Sequence, residues 1–512
     1  MKHAITLSLT AGLAALWVGG CKVGPEYQQP QTSAPAAFHG LDHGSEAPSR
    51  LVPGQVSIDR WWTSLNDPTL ESLLERSVAA NLDLRLAHAR LREARAQRGI
   101  VAADELPSVN AQAGYERGRS SENTQRGFQT FEPSEGSDLY RVGFDASWEI
   151  DLFGRVARSV EAADADVAAA IEDRNDVLVS LAAEVARTYV ELRGFQRRVA
   201  VTEFAVQTER DSLDLVEARN RAGLATELDV AQAQSQLATR SSQLPPLRAG
   251  IKRSIHRLSI LMGQEPGTLL EELTPVAAIP TVPPEIAVGV PAELLRRRPD
   301  IRRAERQVAA ATARVGVATA DLYPRFTLLG FFGFESDHIG DLIDANSRRW
   351  AIGPSMSWPI FDGGRVRSTI NVRNAQLDQS LFTYEKAVLN AYEEVENSMV
   401  SFIQEQARRA ALAAAAESSD RAVALARERY QSGLVDFLNV LDSQRLLYQA
   451  QDQLALSEQS VTVEVIALYK ALGGGWEPPP DAPAQQDAAS ASAPADQPPA
   501  DSPAESNEAR PG

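Results

Sequence analysis

Two spans of this chain, Phe153 to Gly223 and Gly363 to Gly433, each carry a helical pattern for seventy residues (223 − 153 and 433 − 363) with no proline. In the first, Ile171, Leu178, Val185, Leu192, Val199, Val206 and Leu213 recur every seven positions. That is the spacing of a coiled-coil seam. The second keeps the seam at Leu381, Val388, Val395 and Phe402 until Arg409 interrupts it. At about 1.5 Å per residue each span makes a rod of roughly 100 Å, several times the thickness of a membrane core. Hydrophobic residues make up 44% of the chain but aromatics only 6%. Alanine-rich composition of this kind suits long helices packed closely on one another better than a compact enzyme core.

A glycine ends each rod. Gly223 and Gly433 stand 210 residues apart (433 − 223), and the same shift carries Leu224 to Leu434, Leu228 to Leu438, Val230 to Val440 and Gln234 to Gln444. A glycine between long helical patterns reads as the turn of a helical hairpin. Gly143 and Trp148 map to Gly353 and Trp358 by that shift as well, whereas Asp83 maps to Asp300, and Leu106-Pro107 to Tyr323-Pro324, at 217 (300 − 83). An insertion in the first hairpin loop accounts for the difference, and an internal duplication for the rest. The expected first repeat covers 58–265, with a β-hairpin at 108–150, a long helix at 154–222 and a return helix at 226–262 that Pro245-Pro246 interrupts. A connector at 266–290 leads to a second repeat over 291–475, with a hairpin at 325–360, a long helix at 364–432 and a return helix at 436–472. A helix precedes each hairpin; the first starts at Asn66-Asp67-Pro68 and its pattern continues through Leu84 and Leu91 towards Pro107.

Beyond Pro107 the period changes to two. Val109, Ala111, Ala113 and Tyr115 alternate with polar residues, as do Tyr140, Val142, Phe144, Ala146, Trp148 and Ile150. In the second repeat Phe326, Leu328, Gly330, Phe332 and Phe334 form one such set, and Trp350, Ile352, Pro354, Met356 and Trp358 another, weakened as a strand by its prolines. Strands of roughly 9 to 11 residues cross a bilayer when tilted. A half-buried soluble sheet fits the alternation equally well.

The termini narrow the setting. Lys2, an apolar run from Ala4 to Val18 and Gly19-Gly20 before Cys21 form a bacterial export signal over 1–20, ending in a lipoprotein-like box. Cys21 is the only cysteine, so no disulfide can form within the chain, and it is the expected acylated first residue of a tether over 21–57. Lys22 follows it where lipoproteins held at the inner membrane carry aspartate, which favours the outer membrane. Residues 476–512 are acidic and rich in Pro and Ala, a composition that cannot bury a core. The net charge of −17 argues against nucleic-acid binding. The histidines (His3, His39, His43, His88, His256, His338) show no metal-ligand spacing, Gly363-Gly364-Arg365 and Gly473-Gly474-Gly475 lack the Lys-Ser/Thr of a phosphate loop, and no catalytic set or cofactor is indicated. Arg296, Arg297 and Arg298 before Pro299 read as a solvated helix start.

Four bilayer-length strands cannot close a membrane barrel, whose smallest examples have about 8. Chains must pool them: two would give a filled barrel, three a 12-stranded one wide enough for an aqueous bore. At this point the chain resembles the TolC-like outer membrane factor family, in its lipoprotein branch of RND-type (NodT-like) drug efflux channels. The segments that carry the resemblance are Val18-Gly-Gly-Cys21-Lys-Val-Gly-Pro-Glu-Tyr27, Trp61-Trp62 with Asp67-Pro68, Leu294-Leu-Arg-Arg-Arg-Pro-Asp-Ile-Arg-Arg-Ala-Glu305, Ala320-Asp-Leu-Tyr-Pro324, Pro359-Ile-Phe-Asp-Gly-Gly-Arg365 and both glycine turns.

The resemblance implies an α+β membrane protein. In it a homotrimer closes a 12-stranded β-barrel, four strands per chain, in the outer membrane, continuous with an α-helical coiled-coil barrel across the periplasm. A periplasmic adaptor (membrane fusion) protein and an inner-membrane RND-type transporter dock below it. It places Gly223 and Gly433 at the periplasmic tip and implies a constriction at Leu438 and Asp442, which lie four apart on one helix face. Three copies would give an apolar ring beside an acidic one, which favours cations. Asp442 is equally readable as a solvated carboxylate paired with Arg445. Asn439 stands where some relatives have a second aspartate. Asp229 and Tyr430 match positions that hold the tip closed in relatives, but Val435 replaces their arginine partner, so closure needs other contacts; otherwise Asp229 is an exposed helix acid. Two rivals to drug efflux stay open, a type I protein-secretion channel and a non-conducting coiled-coil envelope lipoprotein.

Overall fold

The structure, a computed structural model, describes residues 22–31, 35, 37–39, 48–54, 59–119 and 137–476. The signal segment, Cys21, the first hairpin loop and the acidic tail lie outside the described residues. The chain begins with strand β1 (Arg50–Pro53), a 3-10 turn at Trp61–Leu65, and helices α1 (Pro68–Ala80) and α2 (Leu82–Ala102). Strands β2 (Ser108–Gly118) and β3 (Ser137–Ile150) lead into α3 (Arg155–Arg221), which returns through α4 (Glu227–Ser241) and α5 (Leu244–Leu261). Short α6 (Leu270–Leu273) and β4 (Glu285–Val288) precede α7 (Pro291–Arg297) and α8 (Pro299–Ala320). Strands β5 (Arg325–Ser336) and β6 (Arg348–Ser357) then feed α9 (Arg365–Gln431), which returns as α10 (Phe437–Ala471). No described helix is long and apolar enough to cross a membrane.

Local chemistry sets the breaks. Asp67 caps α1, accepting from the Leu70 N–H at 3.0 Å, with Pro68 at the first helical position. The apolar pattern that runs on past Leu82 is not one helix: Asn81 leaves the helical conformation and caps α2 through the Leu84 N–H. Its amide also donates to the Leu261 carbonyl at 2.8 Å, tying the kink to the end of α5. The return segment after Gly223 is likewise two helices, broken at Ser242–Gln243 ahead of Pro245-Pro246. By contrast α10 is unbroken over 35 residues.

The four long strands form one antiparallel sheet in the order β2-β3-β5-β6. Register decides what it can be. Ala111 pairs with Phe144, Phe144 with Phe332 and Phe332 with Trp350, so the four alternating apolar sets share one face. Gln112, Asp145, Glu149 and Arg349 lie on the other. Among the described residues no other element covers the apolar face: Phe144 is 56% exposed, Trp350 68% and Ile352 70%. A soluble half-buried sheet would have that face against a core. Pro354 sits in β6, an edge strand here, where a missing ladder donor is tolerated. At the ends that lead into the long helices, Trp148 donates its indole N–H to the Glu105 carbonyl and Trp358 to the Leu322 carbonyl, both at 3.0 Å. Amphipathic indoles at this level suit a membrane–water boundary.

The main core lies around the middle of the rods. Trp61, Leu65, Leu70 and Leu73 pack there against Val185, Tyr189 and Leu192 of α3, Leu258 of α5, Met399 and Phe402 of α9, and Val465 of α10. Trp61 stacks on Tyr469 with ring centroids 5.2 Å apart. Strand β1 pairs in parallel with β4, so part of a segment read from sequence as tether is hydrogen-bonded to the body. Arg298 corrects a second expectation. It is buried, not solvated, with Asp300 and Glu394 each at 2.7 Å and the Ala471 carbonyl at 2.9 Å, so it clamps the start of α8 to α9 and α10.

Candidate gate at the helical tips

Each rod ends in the same stop. Gly223 has φ +72° and donates its N–H to the Asn220 carbonyl while Leu224 donates to Arg219; Gly433, also at +72°, donates to Tyr430 while Leu434 donates to Arg429. Such paired bonds around a left-handed residue end a helix, and only glycine adopts that conformation without strain. Leu224 and Leu434 beside the glycines are exposed.

The return helices start differently. In the first, Thr226 and Asp229 form a reciprocal capping box: Asp229 Oδ2 accepts from the Thr226 N–H at 2.9 Å and its hydroxyl at 2.8 Å. Asp229 therefore spends its carboxylate on its own helix and makes no hydrogen bond to Tyr430. In the second, Asp436 makes no side-chain cap.

Tyr430 is buried between the two turns, its ring 5.2 Å from that of Phe437, in a cluster with Val216, Val230, Ala233 and Val440. Val435 joins that apolar cluster where an arginine partner was sought. The cation comes instead from α3: the Arg219 guanidinium lies 4.7 Å over the Tyr430 ring, and its Nη1 donates to the Tyr430 and Gln431 carbonyls at 3.4 Å. Burial raises the Tyr430 hydroxyl above its ordinary pKa, Arg219 opposing the shift.

Leu438 and Asp442 stand one turn apart on α10, both exposed. Asp442 accepts from Arg445 at 2.5 Å, so in the single chain the pairing with Arg445 exists and both groups face open space. Further up the coil, Glu209 is buried beside Arg240 at 3.3 Å, and Arg240 lies over the Tyr448 ring. Gln444 donates to Ser212 at 3.0 Å in the same layer. Burial pushes the Glu209 carboxyl above its usual range, and Arg240 only partly counters it. Neither Arg219 nor the Glu209–Arg240 pair stood out in the sequence. Arg219 could have been found from its alignment with Arg429 at the shift of 210 (429 − 219). No group of acidic, histidine or cysteine side chains fit for a metal occurs among the described residues.

The chain matches the family model for outer membrane efflux protein over residues 73–264 and 290–474. The chain belongs to the outer membrane efflux protein family.

As an outer membrane efflux protein it is similar along nearly its whole length to several relatives. It is 32% identical to outer membrane protein OprJ of Pseudomonas aeruginosa, covering 92% of this chain and 96% of OprJ. With Nodulation protein T of Rhizobium leguminosarum bv. trifolii the identity is 30%, over 92% of this chain and 97% of that one. Among solved structures, the outer-membrane channel OprN superposes with a TM-score of 0.83 at 39% identity, over 90% of this chain and 100% of OprN. The two matched family segments bracket the connector and include both β-hairpins, both long helices and both tips. A family of ducts calls for no catalytic centre, and the function of this efflux protein has to be sought in its exposed faces and its helical tips.

Proposed function

We propose that the protein is the outer membrane channel of a tripartite efflux system, a passive exit duct for drugs and other small toxic compounds. An inner-membrane RND-type pump delivers them through a periplasmic adaptor. One observation carries the reading: a four-stranded sheet whose apolar face the other described elements leave exposed continues directly into helices of 67 residues. The sheet has open edges at β2 and β6, and unpaired edges are not tolerated in lipid. Three copies pair those edges into a 12-stranded barrel with the polar face inward, and their helices join into a periplasmic tube. Cys21 carries the lipid anchor, and Leu438 with Asp442 forms the constriction that the Gly223 and Gly433 turns bring to the tip. Relatives support small cargo: one is a toluene efflux pump outer membrane protein of Pseudomonas putida, another a pyoverdine export outer membrane protein of Pseudomonas aeruginosa.

Deleting the gene tests this directly. Susceptibility to drugs and solvents is expected to rise while the secreted proteome stays unchanged. Unchanged susceptibility with loss of a secreted protein would replace small-molecule efflux by protein secretion. Absence of any current from purified protein in planar bilayers would favour the non-conducting envelope lipoprotein.

A further inference from the structure

The first described residues do not behave as a tether. Val23 donates its N–H to the Phe153 carbonyl at 3.2 Å, at the junction where β3 passes into α3. Gly24, at φ +91°, lies so close to α8 that a Cβ there would stand 2.5 Å from the Gly316 Cα. Beneath this crossing Arg158 is fully buried. It donates to the Val23 carbonyl at 3.3 Å, to Glu26 at 2.6 Å and to Glu161 at 2.8 Å. A Cβ on Gly316 would press on the Arg158 side chain at 3.0 Å, so the groove is shaped for both the arginine and the segment over it. Tyr27 then donates to Glu305, a buried residue of α8, at 2.8 Å. The Glu26 carboxylate, which is held by Arg158 well below its ordinary pKa, is the one exposed partner of an otherwise enclosed guanidinium.

An arginine buried to 1% exposure is costly unless every charge and donor around it is answered. Here two of the three partners come from the N-terminal segment itself: the Val23 carbonyl and Glu26. We infer that Lys22–Tyr27 is a strap, locked into the α3/α8 groove by Arg158 and the Gly24–Gly316 approach, that fixes where the lipid anchor leaves the body. The inference rests on the reading of Cys21 as the acylated residue. The lock puts Lys22 against Gly154, whose added Cβ would meet the Lys22 Cα at 2.8 Å, at the level of Trp148 and Trp358 where strands end and helices begin. The acyl chains therefore enter the membrane beside the foot of the sheet and not at the end of a free leash. Arg158 is a positioning residue for the anchor and has no part in conduction.

Lys22 provides the test, because the other lysines of the chain beyond it, Lys252, Lys386 and Lys470, lie within helices. Full-length protein labelled with radioactive palmitate, solubilised in detergent, is treated with a lysine-specific endoprotease, and label remaining on the large chain is followed. Wild type is expected to keep its label. Glu26→Ala and Gly24→Val, both on the strap, are expected to lose it about tenfold faster or more, the effect of one charge-assisted bond or one steric clash, with no new cleavage at Lys252, Lys386 or Lys470 in the body. Labelled wild type cut as fast as both variants overturns the strap. Unlabelled wild type overturns the lipoprotein reading instead, and cleavage after Lys22, read by mass, then still decides whether the segment is locked.

Discussion

The guanidinium of Arg219 lies 4.7 Å over the ring of Tyr430, joining the end of one long helix to the end of the other across 211 residues of sequence. It is a half-buried cation–π contact to a ring packed with Phe437 and Val435, worth about 1 kcal/mol. Arg219→Ala should loosen the pair of turns. Hydrogen exchange over 428–440 is expected to speed about tenfold, and single-channel recordings should show more frequent openings. Tyr430→Phe should do neither, since the Tyr430 hydroxyl is buried with no hydrogen-bond partner among the described residues. Its loss is expected to leave stability within about 1 kcal/mol or to raise it. Equal effects of the two substitutions would assign the contact to packing and not to the cation.

Asp442 and Arg445 form an exposed ion pair, and such pairs contribute little to stability. Their effect on ions in a narrow bore should be larger. Asp442→Ala is expected to reduce cation preference and increase current, whereas Arg445→Ala, which frees the carboxylate, is expected to increase cation preference. Reversal potentials under a salt gradient check both; if neither moves, the constriction lies elsewhere.

Glu209 makes the tip coil sensitive to pH. Burial raises its carboxyl above the 4.5 of a free glutamate, so the folded state holds the proton more tightly than the unfolded one. The stabilising contribution is then fully present below 4.5 and is lost as pH rises through the raised folded value. Protection of the α3, α4 and α10 amides around Glu209, corrected for intrinsic exchange, should increase as pH falls from neutral towards 4.5. Glu209→Gln should flatten that slope. An unchanged slope in the variant would remove Glu209 as its source.

The sheet faces differ in what they tolerate. Phe144 and Asp145 are neighbours on β3 pointing to opposite sides. Phe144→Arg puts a charge on the face assigned to lipid, at about 2 to 4 kcal/mol near the bilayer midplane, and Asp145→Arg puts it in the bore at far less. Yield of heat-modifiable oligomer in the outer-membrane fraction should fall sharply for the first and little for the second. The reverse order would turn the sheet inside out.

Much of this architecture is legible because it is periodic. Heptads in α3, alternation in β2, β3, β5 and β6, and glycine at each tip are local signals, read within a few residues of themselves. The exceptions are instructive. Asn81 broke an apolar pattern that looked continuous, because its side chain caps α2 and reaches Leu261, 180 residues away. Arg298 read as solvated because nothing near it in sequence announces Glu394 or the Ala471 carbonyl. The tips were legible in part: both glycines stand out by their shift of 210, Leu438 and Asp442 entered only through the family resemblance, and Arg219 acts through Tyr430, a partner set by how two rods lie together.

By itself, then, the sequence determined the rods, the strands with their apolar and polar sides, and the turns that end them, since backbone preference and side-chain period act over a few residues. Only the tertiary structure decided which distant groups answer one another: Arg219 over Tyr430, Arg158 beneath Glu26, β1 beside β4, Asp229 kept for its own helix cap. Those choices follow from burial. A charge or backbone group removed from water must find a partner within hydrogen-bond reach, and packing, not position along the chain, determines which one is there.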